Sequence, residues 1–262
     1  MLKLDHIHKT FNPGTVNEKK ALCDLTLHLN RGDFVTIIGS NGAGKSTMLN
    51  AICGSFLVDS GSIALDGRDV TFQPEYQRAK SIGRLFQDPM RGSAPHMTIE
   101  ENLALAAGNG GWFSHISREE HQHFRDCLAQ LDMGLEDRMR QPVGLLSGGQ
   151  RQALTLLMAT YHPPKLLILD EHTAALDPAT AEKVLTITRE VVARDNITTL
   201  MVTHNMQQAL ELGNRTLMMD SGSIVLDVSG TERDGLTVND LLDRFRQGAG
   251  KKLNDDRIIL SK

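Results

Sequence analysis

Gly39-Ser40-Asn41-Gly42-Ala43-Gly44-Lys45-Ser46 has the form G-x-x-x-x-G-K-[ST], the pattern of a phosphate-binding P-loop. The flanking sequence fits that geometry. Phe34-Val35-Thr36-Ile37-Ile38 precedes it as a short, β-branched apolar run suited to a buried parallel strand. A helical stretch over residues 47–54 follows and ends near Gly54. Glycines at 39, 42 and 44 let the backbone wrap an anion without Cβ clashes. The loop amides and the helix N-terminus then point at a phosphate. Lys45 would reach the β- and γ-phosphates, and the Ser46 hydroxyl would ligate Mg²⁺. Gly39 through Ser46, with Thr47 as the next hydroxyl, form the candidate nucleotide cradle. The competing reading is a glycine-rich turn, which the strand before and helix after argue against.

The rest of the chain bounds the answer. Its 262 residues suit one large α/β domain or two small ones. Net charge is −4 and no Lys/Arg block stands out, so an electrostatic case for nucleic-acid binding is absent. Cys23, Cys53 and Cys127 are widely spaced and odd in number. They suggest neither a disulfide framework nor a zinc site and fit a reducing compartment. No apolar run approaches the ~18 residues of a membrane span, and the N-terminal residues carry no signal-peptide core. The expectation is a cytoplasmic subunit whose membrane part, if it has one, is another chain.

Residues 1–38 read as strands, with Asn12-Pro13-Gly14 a turn. A strand pair follows around residues 61–65 with Asp66-Gly67 turning it, then a short strand from Ile82 ending at Gln87. Residues 88–160 are richer in His, Met, Glu and Arg, and capping boxes at Thr98–Glu101 and Ser117–Glu120 open two helices. Strands return at 166–169, 199–202 and 216–219, with a helix from Pro178 to Arg194. A late helix runs from Leu236 to Arg246 and breaks at Gly248-Ala249-Gly250, and the tail turns apolar again at 258–260. The pattern is a parallel-sheet α/β core with a helical insert.

Two further motifs narrow the chemistry. Leu166-Leu167-Ile168-Leu169-Asp170-Glu171 is an apolar strand ending in two acids. Asp170 is placed to hold Mg²⁺, and Glu171 to polarise a water in line with a γ-phosphate. Alone, it could also be a buried strand with an acidic last turn. Leu146-Ser147-Gly148-Gly149-Gln150 opens a helix with a hydroxyl and free amides, a second anion site. By itself it could be a plain N-cap. One domain rarely needs two such sites for one nucleotide, but a second copy of the domain would explain both.

These motifs, in this order, resemble the nucleotide-binding subunit of ATP-binding cassette (ABC) transporters, whose signature is L-S-G-G-Q. The resemblance covers residues 1 to about 227. It implies that Gln87 is the Q-loop glutamine, touching Mg²⁺ and the attacking water. It implies that Ala174-Ala175-Leu176-Asp177 is the D-loop, with Ala174 where Ser is usual, and that His204 is the switch histidine on the γ-phosphate. Phe11 stands where an aromatic ring stacks on adenine; as a residue it could also be a packed strand-end Phe. His172 sits where Pro is common and is expected to be neutral for chemistry.

The implied fold is α/β: a P-loop NTPase, RecA-like, with an antiparallel β-subdomain (residues 1–87 and 161–230) and a helical subdomain (88–160). Residues 1–247 make one ATPase domain and 248–262 a short tail. The implied mechanism is a homodimer sandwiching two ATP molecules with Mg²⁺. Lys45 and Ser46 grip the phosphates from one side, and Ser147, Gly148, Gly149 and Gln150 from the partner. The implied partners are separate permease subunits, with a substrate-binding protein in the same system. The protein would then lie on the inner face of the membrane. The alternatives are a soluble ABC ATPase of Fe–S-assembly type and another P-loop NTPase, the latter disfavoured by L-S-G-G-Q. Residues 98–106 and 170–178 also resemble a group of bacterial importer ATPases, some linked to amino-acid uptake.

Overall fold

The structure, a computed structural model, describes residues 1–108 and 116–249. Along the chain these form β1 Leu2–Phe11, β2 Lys19–Leu29, β3 Phe34–Gly39, α1 Lys45–Cys53, β4 Ser60–Leu65, β5 Arg68–Asp69 and α2 Glu75–Arg78. Then come β6 Ile82–Leu85, α3 Ile99–Ala106, α4 Arg118–Ala129, α5 Gly148–Thr160, β7 Leu166–Asp170 and α6 Pro178–Asp195. The last group is β8 Thr198–Val202, α7 Met206–Glu211, β9 Arg215–Asp220, β10 Ser223–Ser229, α8 Thr231–Asp234 and α9 Val238–Ala249. Two compact units result: residues 1–82 with 196 onward, and residues 83–195.

The first unit holds two sheets. β1 and β2 alternate, so Leu2, Leu4 and Ile7 face inward opposite Leu29, Leu27 and Leu25 in an antiparallel ladder. β4 pairs antiparallel with the other edge of β1, and β5 extends it. β3 behaves differently: Phe34 to Ile38 are all buried, and it runs parallel to β8 on one side and β9 on the other. A strand covered on both faces needs a continuous apolar run. Its one polar residue, Thr36, is fully buried and satisfied by the Ala209 carbonyl at 2.8 Å. Ile38 and Met218 pack with Met206, Ala209, Leu241 and Phe245, which seats α7 and α9.

Arg78 is 2% exposed and fixes the far end of α1. It donates to the Ala51 and Ile52 carbonyls at 2.8 and 2.9 Å, and to those of Thr71 and Gln73. A guanidinium there fills the orphan carbonyls of a helix C-terminus and meets the negative end of its dipole. Burial nevertheless lowers the Arg78 pKa.

In the second unit, β6 and β7 are hydrogen-bonded neighbours and α3 to α6 supply the helices. Both expected capping boxes form, Thr98 with Glu101 and Ser117 with Glu120.

The structure corrects two expectations. The final helix starts at Val238, not Leu236, and passes through Gly248 to Ala249. A glycine in the last turn costs propensity but leaves the backbone bonds intact. The strand expected to end at Gln87 stops at Leu85. β10, which pairs antiparallel with β9, was not anticipated, because its 223–229 run mixes polar and apolar residues without clean alternation. Residues 258–260 lie outside the described residues.

Candidate nucleotide site

The P-loop joins β3 to α1, and three glycines set its path. Gly39 has φ +153, and a Cβ there would lie 2.3 Å from the Met219 carbonyl oxygen. Gly44 has φ +101, and its Cβ would meet the Ala21 carbonyl at 2.7 Å. Gly42 has φ +82, so it too sits where glycine is favoured. Gly44 is the N-cap of α1 and offers no side-chain cap. The first-turn amides of α1 are therefore available to an anion, backed by the helix dipole. Lys45 is 5% exposed, and its ammonium donates to the Gly39 carbonyl at 2.7 Å and the Ser40 carbonyl at 3.1 Å. Asn41, Gly42 and Ser46 are exposed, Ala43 is buried, and Ser40 and Thr47 are partly buried.

The same unit carries Phe11 and His204. Phe11 ends β1, and its ring meets Phe56 edge-on at 5.3 Å. The Lys9 ammonium lies 5.7 Å from the Phe11 centroid. The ring is half-exposed, so it is both a packed strand-end residue and a surface on which a planar group can stack. His204 follows β8, half-buried, and the next residue, Asn205, caps α7 by accepting the Gln208 amide at 3.0 Å. Lys19 was missed by sequence reasoning: its ammonium lies 3.9 Å from where a Gly42 Cβ would be. No local pattern marks a lysine on another strand as a neighbour of the loop.

The second unit carries the remaining candidates. Gln87 is exposed just beyond β6. Asp170 ends β7, and its carboxylate faces the Arg84 guanidinium of β6 at 3.6 Å. Glu171 has φ +48, in the left-handed region that a β-carbon disfavours. Such outliers cluster at functional sites. A turn closes behind it, with the Ala174 amide donating to the Glu171 carbonyl at 3.0 Å. His172 is 2% exposed, and desolvation lowers its pKa to about 4. Asp177 caps α6 by accepting the Thr180 amide at 3.1 Å, and the Thr180 hydroxyl, together with that amide, holds its carboxyl below the usual range.

L-S-G-G-Q opens α5. The Ser147 hydroxyl accepts the Gln150 amide, and the Gln150 side chain returns to the Ser147 amide, both at 3.2 Å. Ser147 and Gly148 stay exposed, whereas Gly149 is buried. A Cβ at Gly149 would lie 2.0 Å from Thr180 Cγ2, and one at Gly148 would lie 3.2 Å from Leu176 Cδ2. The glycines thus let α5 pack closely on the segment that includes Asp177. Arg151 braces the approach by donating to the Val143, Gly144 and Leu146 carbonyls.

Residues 22–174 match the family described as "ABC transporter". The chain belongs to that family. As an ABC ATPase it resembles the tyrosine transport ATP-binding protein of Clostridioides difficile (strain R20291), with 42% identity covering 94% of this chain and 98% of the relative. It is 34% identical to the methionine import ATP-binding protein MetN of Streptococcus pyogenes serotype M3, covering 90% and 68%. Among solved structures it is similar to the ATP-binding cassette MJ0796 in a dimeric post-hydrolysis state bound to ADP and Pi. That likeness has a TM-score of 0.75, 27% identity and coverage of 87% and 98%. The cassette MJ1267 in its ADP conformation matches with a TM-score of 0.76, 27% identity and coverage of 94% and 98%. The fold is the P-loop NTPase fold of ABC cassettes, and the chain is an ATP-binding, ATP-hydrolysing transporter subunit. These relatives do not favour the soluble Fe–S-assembly alternative. Among the described residues, no helix is long and apolar enough to cross a membrane.

Proposed function

We propose that this ABC ATPase energises a bacterial importer for an amino acid or a similar small solute. The observation that carries the reading is the near-complete likeness to a tyrosine transport ATP-binding protein, which spans 94% of one chain and 98% of the other. In this reading residues 1–247 form one ATPase domain, with its core in 1–87 and 161–230 and its helical subdomain in 88–160. Permease subunits are separate chains, a substrate-binding protein delivers the solute, and the ATPase works at the inner face of the membrane.

The phosphates of ATP lie against the loop amides, Lys45, Ser46 and Thr47, and the adenine stacks on Phe11. Ser147, Gly148, Gly149 and Gln150 of a second copy cover the γ-phosphate, because the helix start they form exposes Ser147 and Gly148 to an anion. Asp177 borders the same face. Glu171 orients and deprotonates the attacking water, while His204 and Gln87 complete the geometry around the transferring group. Catalysis here is positioning and charge neutralisation. The Ser46 hydroxyl, the Gln87 amide oxygen and the Asp170 carboxylate are all hard oxygen donors, the set that suits Mg²⁺. Those three residues would hold the ion, which supplies neutralisation of phosphate charge.

The test is reconstitution of the full chain with its permease in vesicles. ATP hydrolysis should rise when an amino-acid-loaded binding protein is added on the opposite side. Hydrolysis stimulated by a sugar or a metal chelate, and by no amino acid, would overturn the substrate class. An ATPase that co-purifies only with soluble partners would overturn the transporter assignment.

A further inference from the structure

Arg84 belongs to none of the motifs above, yet its guanidinium faces Asp170 at 3.6 Å. The two side chains are 13% and 16% exposed, so water screens the pair weakly. The guanidinium also lies over the Phe86 ring, 4.6 Å from its centroid, which fixes its plane. Adjacent strands make this pairing: Arg84 is on β6 and Asp170 at the end of its hydrogen-bonded neighbour β7. A cation held there has a defined effect on a second cation. It aims the carboxylate, and it repels a divalent ion approaching the same oxygens.

We propose that Arg84 is the resident counter-ion of Asp170, positioning the carboxylate before a divalent cation arrives and weakening that cation's hold once it does. The proposal rests on the reading of Asp170 as a cation ligand. Arriving Mg²⁺ then competes with a guanidinium rather than with water, so the affinity for the metal–nucleotide complex is tuned by a residue that touches neither.

The test measures Mn²⁺ binding by electron paramagnetic resonance to the full chain saturated with ADP, where no turnover occurs. Arg84→Met should bind Mn²⁺ about three- to tenfold tighter, from removal of one nearby positive charge. Arg84→Lys should stay near the parent, because the charge remains. Arg84→Gln serves as a second neutral variant should Arg84→Met not fold, and melting temperatures report on folding for each. Asp170→Asn is the control and should weaken Mn²⁺. Unchanged or weaker binding in both neutral variants, with weaker binding in Asp170→Asn, overturns the role of Arg84 and leaves the Asp170 reading intact. Unchanged binding in Asp170→Asn overturns that reading and the counter-ion proposal with it.

Discussion

His172 Nε2 lies 3.3 Å from the Thr188 hydroxyl, in a site closed to solvent. The Thr188 proton is already given to the Val184 carbonyl at 2.8 Å, so the hydroxyl accepts from the imidazole. This fixes a neutral ring with Nε2 protonated, and Nδ1 has no partner. The residue after Glu171 is therefore a buried, uncharged anchor onto α6. Folding lowers its pKa from 6.5 to about 4. Between those values the unfolded chain binds the extra proton, so stability from this group is full above about pH 6.5 and lost as pH falls toward 4. The loss is on the order of 3 kcal/mol. Urea titrations should show about 2 kcal/mol of it between pH 7 and pH 5 for the parent, and less for His172→Phe. Equal pH slopes would disprove it.

Lys45→Ala should weaken ATP binding by about ten- to a hundredfold, the worth of a charge-assisted bond to phosphate. Its ammonium now rests on the Gly39 and Ser40 carbonyls, so the change should also cost roughly 1–3 kcal/mol of stability by leaving those acceptors unpaired. Calorimetric ATP titration and thermal melting separate the two effects. Unchanged ATP affinity would count against the P-loop reading.

Glu171→Gln should retain ATP binding and slow hydrolysis about 10²–10⁴-fold, the usual contribution of a general base. With the γ-phosphate retained, the variant should accumulate as an ATP-bound dimer in size-exclusion chromatography. Hydrolysis at the parent rate would remove Glu171 from the role of base.

Gly149→Ala should cost roughly 1–3 kcal/mol of stability through overpacking, because the new methyl would lie 2.0 Å from Thr180 Cγ2. Thr180→Ser removes that methyl and keeps the backbone amide that Asp177 caps. The double variant should recover much of the loss in denaturant midpoint. No recovery would place the defect elsewhere.

The legible parts of this chain were those where chemistry and local geometry coincide. Glycines 39, 42 and 44 stand before a lysine because both the turn and the phosphate require them, and Thr98, Ser117 and Ser147 announce their helices by pairing with the third residue on. β3 and β7 were legible because full burial demands an unbroken apolar run. What escaped was produced by distant chain segments meeting. Arg84 beside Asp170, Lys19 beside Gly42 and Arg78 beneath α1 are each set by strand pairing or packing that no sequence window contains. β10 escaped because its edge position leaves most of its residues only partly buried.

The P-loop is held in shape from outside itself. The Gly222 amide donates to the Ala43 carbonyl at 2.9 Å, and the Cys23 amide donates to the Gly222 carbonyl at 3.0 Å. Ser223 adds a bond to the Cys23 carbonyl across 200 residues of sequence. The loop is encoded near the start of the chain, yet the hairpin that braces it is made near the end. During synthesis, a nascent chain that has already emerged through Ser46 still lacks that brace. The loop can therefore settle into shape only after the β9–β10 hairpin has been made, so its closure is a long-range folding event.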